Sequence, residues 1–133
     1  MRELKSIWGV YHAKGGFLGE VSYVVGKLLH LTHCALCDIT HKGISEKKTM
    51  QGCRSSFDVP FDLVHLNEQS KRLAAATKGK TPCVVAESTE GFEIMLGAAQ
   101  LEDCRKNVES FHDALDAALI SSGYQSVVSD RSR

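Results

Sequence analysis

Residues 81–96 restrict the fold most. Thr81-Pro82 opens onto the compact apolar run Cys83-Val84-Val85-Ala86, Thr89-Glu90-Gly91 has turn chemistry, and Phe92-Glu93-Ile94-Met95-Leu96 is a second strand-forming run. Two such runs joined by a short glycine-containing turn predict a β-hairpin. A hairpin alone is marginal in water, so the rest of the chain has to cover it.

Around the hairpin, strand-type and helix-type patterns alternate. Leu4, Ile7, Trp8, Val10 and Tyr11 predict a first strand over 4–12, and Ala13-Lys14-Gly15-Gly16 a turn with neither of the glycine patterns that cradle phosphate. Phe17, Leu18, Val21, Val24, Val25, Leu28 and Leu29 then recur at helical spacing and predict a long amphipathic helix. Gly19, Ser22 and Gly26 flank its apolar stripe, which suits core packing or a docking face, a homodimer through Phe17–Leu29 among the latter. Ser45 starts a helical segment carrying Met50 and Cys53, residues 55–60 are loop, and 61–66 is a strand. Asn67 caps a helix to Thr77, and Val108, Phe111, Leu115, Ala118 and Leu119 stripe a last helix over 102–121. Residues 1–121 are expected to form a single α/β domain, and 122–133 a flexible polar tail.

Reactive side chains crowd into Thr32-His33-Cys34-Ala35-Leu36-Cys37-Asp38-Ile39-Thr40-His41. Thr32 as N-cap and Gly43 beyond the end predict a short helix from His33 to Lys42, with His41 and Lys42 in its last turn. On such a helix His33, Cys34, Cys37 and His41 fall within about 100° of one another, and Ala35, Leu36 and Ile39 on the other side.

The order of elements, with the long helix removed, resembles the thioredoxin fold. Thr81-Pro82-Cys83 stands where that family has a cis-proline opening the third core strand, Gly97 follows the hairpin, and Cys34-Ala35-Leu36-Cys37 stands for the family's C-x-x-C. The likeness covers residues 4–12 and 33–120. It departs from the family in the ~20 residues between first strand and C-x-x-C, and in the missing aromatic-Cys-Gly-Pro-Cys signature. It implies a thioredoxin-like three-layer α/β sandwich with an extra N-terminal amphipathic helix before the C-x-x-C, and a substrate groove bordered by Pro82. Residues 33–41 also resemble an H-C-x-L-C-D-I-T-H motif of a set of small bacterial proteins, which implies no function.

Two chemistries use the same atoms. In a thiol–disulfide redox protein, Cys34 in the first helical turn is the attacking thiolate, His33 adds positive charge when protonated, and Cys37 one turn on resolves the mixed disulfide. The partners are then protein or small-molecule thiols, and no cofactor is needed. In a metal-binding protein, Cys34, Cys37, His41 and His33 supply ligands for zinc, copper or iron. On a straight helix Cys34 and His41 lie about 10.5 Å apart along the axis, too far to share one ion unless the helix breaks. Further ligands would come from Cys53, Cys83, His12 or a second chain. Cys53 and Cys104 otherwise read as small apolar residues on helix faces, and His65 and His112 as ordinary surface or core residues.

Sixteen basic and sixteen acidic residues balance to zero net charge without a polybasic cluster, which argues against nucleic acid as a partner. No secretory leader is visible, and the most apolar window, 17–31, is too short and too charged to span a bilayer, so the cytoplasm is the expected location. There the five cysteines, an odd number, are expected to be mostly reduced.

Overall fold

The computed structural model describes residues 3–12, 35–42 and 45–124, with only the backbone for 35, 37, 38, 41, 42, 45 and 46. The predicted Phe17–Leu29 helix, His33 and Cys34 lie outside the described residues. The molecule is a mixed α/β structure built on one four-stranded sheet. Strand β1 (Leu4–Val10) is followed by α1 (Ala35–Thr40), the two-residue strands β2 (His41–Lys42) and β3 (Ser45–Glu46), and α2 (Lys48–Ser56). Next come β4 (Phe61–Val64), a 3-10 turn (Leu66–Glu68), α3 (Lys71–Thr77) and the hairpin β5 (Cys83–Ser88) and β6 (Gly91–Leu96). Helices α4 (Ala98–Asp103) and α5 (Val108–Ser121) close the chain.

The sheet runs β4-β1-β5-β6. β1 pairs with β4 in parallel, Ile7 opposite Phe61 and Val10 opposite Val64, and with β5 antiparallel, Val10 opposite Cys83. β6 is antiparallel to β5, with a bulge that pairs Val84 with Leu96 but Val85 with Ile94. The extra residue turns both Met95 and Leu96 into the main core. The Thr81–Pro82 peptide bond is cis.

Both faces of the sheet are covered, which explains why β1 and β5 are apolar at successive positions rather than at every second one. Ile7, Tyr11, Phe61, Val84 and Ala86 face one layer, formed by Leu36 and Ile39 of α1, Met50 of α2, Leu101 of α4, and Phe111, Leu115 and Leu119 of α5. Val10, Cys83 and Val85 face the other, where Leu73 of α3 covers them. Gly9 lets α1 come close to the sheet: a Cβ there would lie 2.6 Å from Leu63 Cδ2 and 3.4 Å from Leu36 Cδ2. Among the described residues no helix is long and apolar enough to cross a membrane.

Several boundaries differ from the sequence reading. Helix α1 stops at Thr40, because the Thr40 carbonyl accepts from the backbone N–H of Lys47 (2.8 Å) and His41 pairs with Glu46. His41 therefore stands on a strand, not in the last turn of a helix, and the shared helical face drawn for it does not exist. The helix with Met50 and Cys53 starts at Lys48 rather than Ser45, and the strand read over 61–66 ends at Val64. Ser70, not Asn67, caps α3, its Oγ accepting from Leu73 N at 3.1 Å. The single helix read over 102–121 is two, split where Arg105 and Lys106 adopt positive φ (50° and 63°) before Asn107 caps α5, its Oδ1 accepting from Ser110 N at 2.8 Å. Past α5, Gly123 (φ 94°) ends the helix with Tyr124 N–H on the Leu119 carbonyl at 3.0 Å. Tyr124, read as part of the flexible polar tail over 122–133, is buried in the core.

Candidate functional site

Because β1 and β4 are parallel, their carboxyl ends lie side by side, the place where open α/β sheets gather functional groups. Tyr11 N–H donates to the Val64 carbonyl at 2.9 Å and carries this pairing one residue past each strand. The Tyr11 ring is buried, and its hydroxyl shares a 2.9 Å hydrogen bond with Thr40 Oγ1, which ties the end of β1 to the last turn of α1. His65 follows β4 directly, its ring against that of Tyr11 with centroids 5.0 Å apart and planes tilted 54°.

Glu68 holds His65 by two bonds to one oxygen. The backbone N–H and the Nδ1–H of His65 each donate to Glu68 Oε1 at 2.7 Å. The backbone bond is half of a capping box on the 3-10 turn; the ring bond is additional to it. Together they hold the Glu68 carboxyl below the usual carboxylate range, the backbone N–H contributing most and the ring N–H next. An ionised Glu68 fixes the ring proton on Nδ1 and directs Nε2 away from it. His65 is about one-third exposed (35%).

Across β1, exposed His12 shares a 2.9 Å hydrogen bond between its Nδ1 and Thr81 Oγ1, linking the end of β1 to the start of β5. Thr81 is half-buried and the Pro82 ring is buried, so solvent meets Thr81 and His12 at this edge rather than the proline expected to border a groove. Cys37 lies in α1 and His41 in β2; their side chains, like His33 and Cys34, lie outside the described residues. Cys83 points to the opposite sheet face, among Val10, Leu73 and Val85, and burial pushes its thiol up to about 11. It therefore fills apolar space on the side away from Leu36 and Ile39.

A second concave region, a cleft of about 500 Å³, lies between α2 and α5 and includes Lys47, Cys53, Lys106, Glu109 and His112 in its lining. Ser56 Oγ is 3.1 Å from His112 Nε2, which resembles a nucleophile–base pair. The hydroxyl proton is already committed, though, since Ser56 Oγ donates to the Cys53 carbonyl at 2.6 Å. His112 is thus the donor to Ser56, and the pair ties α5 to α2 without activating an oxygen. Burial pushes the Cys53 thiol up to about 12 and also raises that of Cys104, whose Sγ donates to the Gln100 carbonyl at 3.4 Å. Such thiols stay protonated and unreactive at neutral pH.

Sequence reasoning passed over His65 and Glu68. The signal available was the His-x-x-Glu spacing, hidden because His is not a usual N-cap residue and because Tyr11, its partner, is 54 positions away. Among the described residues, no three His, Cys, Asp or Glu side chains are placed to hold a metal ion. Comparison with protein-family models, with curated proteins and with solved structures finds no match to this chain.

Proposed function

We propose that the protein is a thioredoxin-like thiol–disulfide redox protein that uses Cys34 and Cys37 on protein or small-molecule disulfides. What supports the reading most is the sheet: order β4-β1-β5-β6, β4 parallel to β1, β5 antiparallel to β1, β6 antiparallel to β5, and helices on both faces. That is the arrangement the resemblance implies around a C-x-x-C lying between β1 and the body of α1. Thr81-Pro82, at the head of β5, stands beside the end of β1.

In the forward direction, the Cys34 thiolate attacks one sulfur of the substrate disulfide and expels the other as a thiolate, leaving a Cys34–substrate mixed disulfide. The Cys37 sulfur then attacks Cys34, releases the second substrate thiolate and forms the Cys34–Cys37 disulfide. Two electrons pass from the dithiol to the substrate, and an external thiol reductant restores the dithiol. His33 favours the Cys34 thiolate when protonated. Thr81 and His12, with Pro82 beneath, form the edge met by the substrate.

Thiol counting during a glutathione redox titration tests this directly. Reversible loss of two thiols per chain, mapped by mass spectrometry to Cys34 and Cys37, is the expected result. A stoichiometric metal ion in protein purified without chelator, lost on Cys34→Ser or His41→Ala, would overturn it.

A further inference from the structure

We infer that the cleft between α2 and α5 binds a small organic anion, its apolar body over Cys53 and Val108 and its carboxylate or phosphate head against Lys47 and Lys106. Nothing in this depends on the Cys34/Cys37 chemistry, and all the side chains involved lie among the described residues.

The space itself is of ligand size. At about 500 Å³ the cleft falls in the range of pockets that enclose small molecules. Its lining is graded. Cys53 is buried and Val108 packs against the main core, whereas Thr49, Lys106, Asn107 and Glu109 are exposed. The uncharged, apolar residues therefore lie deep and the polar ones stand at the rim. An inorganic ion would fill a small part of this volume and leave the apolar depth to water, so the fitting ligand has an apolar body behind its charge.

The charge at the rim sets the sign of the ligand. Lys47, just before α2, and Lys106, just before Asn107 caps α5, are brought together although 59 positions separate them: Lys47 Nζ donates to the Lys106 carbonyl at 2.8 Å. That bond fixes one ammonium in the lining and uses one of its three donors. Among the described residues neither lysine is in an ion pair, although Glu109 stands in the same lining. Two cations against one carboxylate leave the cleft net positive. The first turn of α2 has no side-chain cap and no acidic residue, so its backbone dipole adds to the same sign. His112 already donates to Ser56 and forms part of the wall.

Amide NMR titration of the full chain with four probes tests this: phenyl phosphate, phenylacetate, benzyl alcohol and inorganic phosphate. Phenyl phosphate or phenylacetate is expected to shift the amides of Thr49, Cys53 and Val108 saturably, with a Kd of about 1 mM, and the tighter of the two identifies the head group. Benzyl alcohol, which lacks the charge, and inorganic phosphate, which lacks the body, are each expected to bind at least about tenfold more weakly. The double variant Lys47→Gln, Lys106→Gln is expected to weaken the better anion about tenfold. If that variant does not fold, salt decides on the wild type: raising it from about 0.02 M to about 0.5 M is expected to weaken the organic anion severalfold and leave benzyl alcohol unchanged. Failure of both organic anions to saturate these amides would overturn the proposal. So would inorganic phosphate binding as tightly as either of them, or affinity that neither the lysine substitutions nor salt reduces.

Discussion

Two regions of this protein place a histidine beside a hydroxyl or a carboxylate, and they are built for opposite ends. In the cleft between α2 and α5, His112 donates to Ser56, Ser56 donates to the Cys53 carbonyl, and the Phe57 ring covers the imidazole at 5.2 Å. The His112 and Ser56 protons in these two bonds hold two helices together, and the nearby Cys53 thiol is driven up by burial. At the carboxyl ends of β1 and β4, Glu68 fixes one nitrogen of His65 and is not bonded to the other. Residue types alone would rank the cleft first, since it has the cavity, a cysteine and a histidine, with Ser56 bonded to that histidine. Following each proton to its acceptor reverses that ranking.

The sharpest way to break the comparison is to exchange the cysteines one at a time. Cys34→Ser and Cys37→Ser are each expected to lower disulfide turnover by at least about 100-fold. Cys53→Ala is expected to leave it within about twofold, with a loss of stability instead. Turnover measured with a small aromatic disulfide reads this, and an equal loss from Cys53→Ala would move the chemistry to the cleft. A smaller effect separates the two hydroxyls. Tyr11→Phe removes the bond from a buried Tyr11 to a fully buried Thr40 and is expected to cost about 1.5 kcal/mol in urea unfolding. Ser56→Ala removes a half-buried hydroxyl near water and is expected to cost about 0.5 kcal/mol. The reverse order would mean that α2 and α5, not β1 and α1, form the tighter joint.

Local pattern made the hairpin legible, because Cys83–Ser88 and Gly91–Leu96 carry their turn and their apolar runs within one short stretch. Phe111, Leu115 and Leu119 were legible for the same reason: a four-residue spacing names a buried helix face wherever it packs. The end of α1 was not. Nothing between Ile39 and Lys42 forbids another helical turn; what ends it is Lys47 N–H on the Thr40 carbonyl and the pairing of His41 with Glu46, neither visible until β3 folds back. The His65–Tyr11 contact was hidden for a related reason, since it follows from parallel pairing of strand residues 54 positions apart. Cys37 was conspicuous because thiol spacing is written in the sequence, while the setting of His65 is made by topology.

Alkali tests the claim that Cys53 and Cys83 are packing residues. Their folded-state values, about 12 and about 11, lie above the ordinary thiol value of 9.0, so the folded protein keeps protons that the unfolded chain gives up. Their contribution to stability is complete below pH 9 and is lost as pH rises toward the folded values, about 1 kcal/mol per thiol by pH 10. Urea midpoints of the wild type are expected to fall across that window more steeply than those of Cys53→Ala or Cys83→Ala. Equal slopes would mean that neither thiol is shielded.

Acid gives the smallest effect and the finest test of the other region. Glu68 is depressed, chiefly by the His65 backbone N–H and then by its ring N–H, so the unfolded chain binds this proton at higher pH than the folded protein does. The sign follows: the contribution is present above the ordinary carboxylate value and disappears as pH falls through the lower folded value. Glu68 is nearly half exposed (45%), and solvent screening limits the amount to about 0.3 kcal/mol. The wild type is expected to be more stable than Glu68→Gln at pH 6, with the two urea midpoints converging by about pH 3 as the carboxylate is lost. Over the same acid range the His65 ring resonance should respond to protonation of Glu68 in the wild type and stay flat in Glu68→Gln. A gap between the two proteins that persists at pH 3 would trace the stability to the capping geometry of residues 65–68 rather than to charge, and His65 would then rank with His112 as a histidine that only holds the fold together.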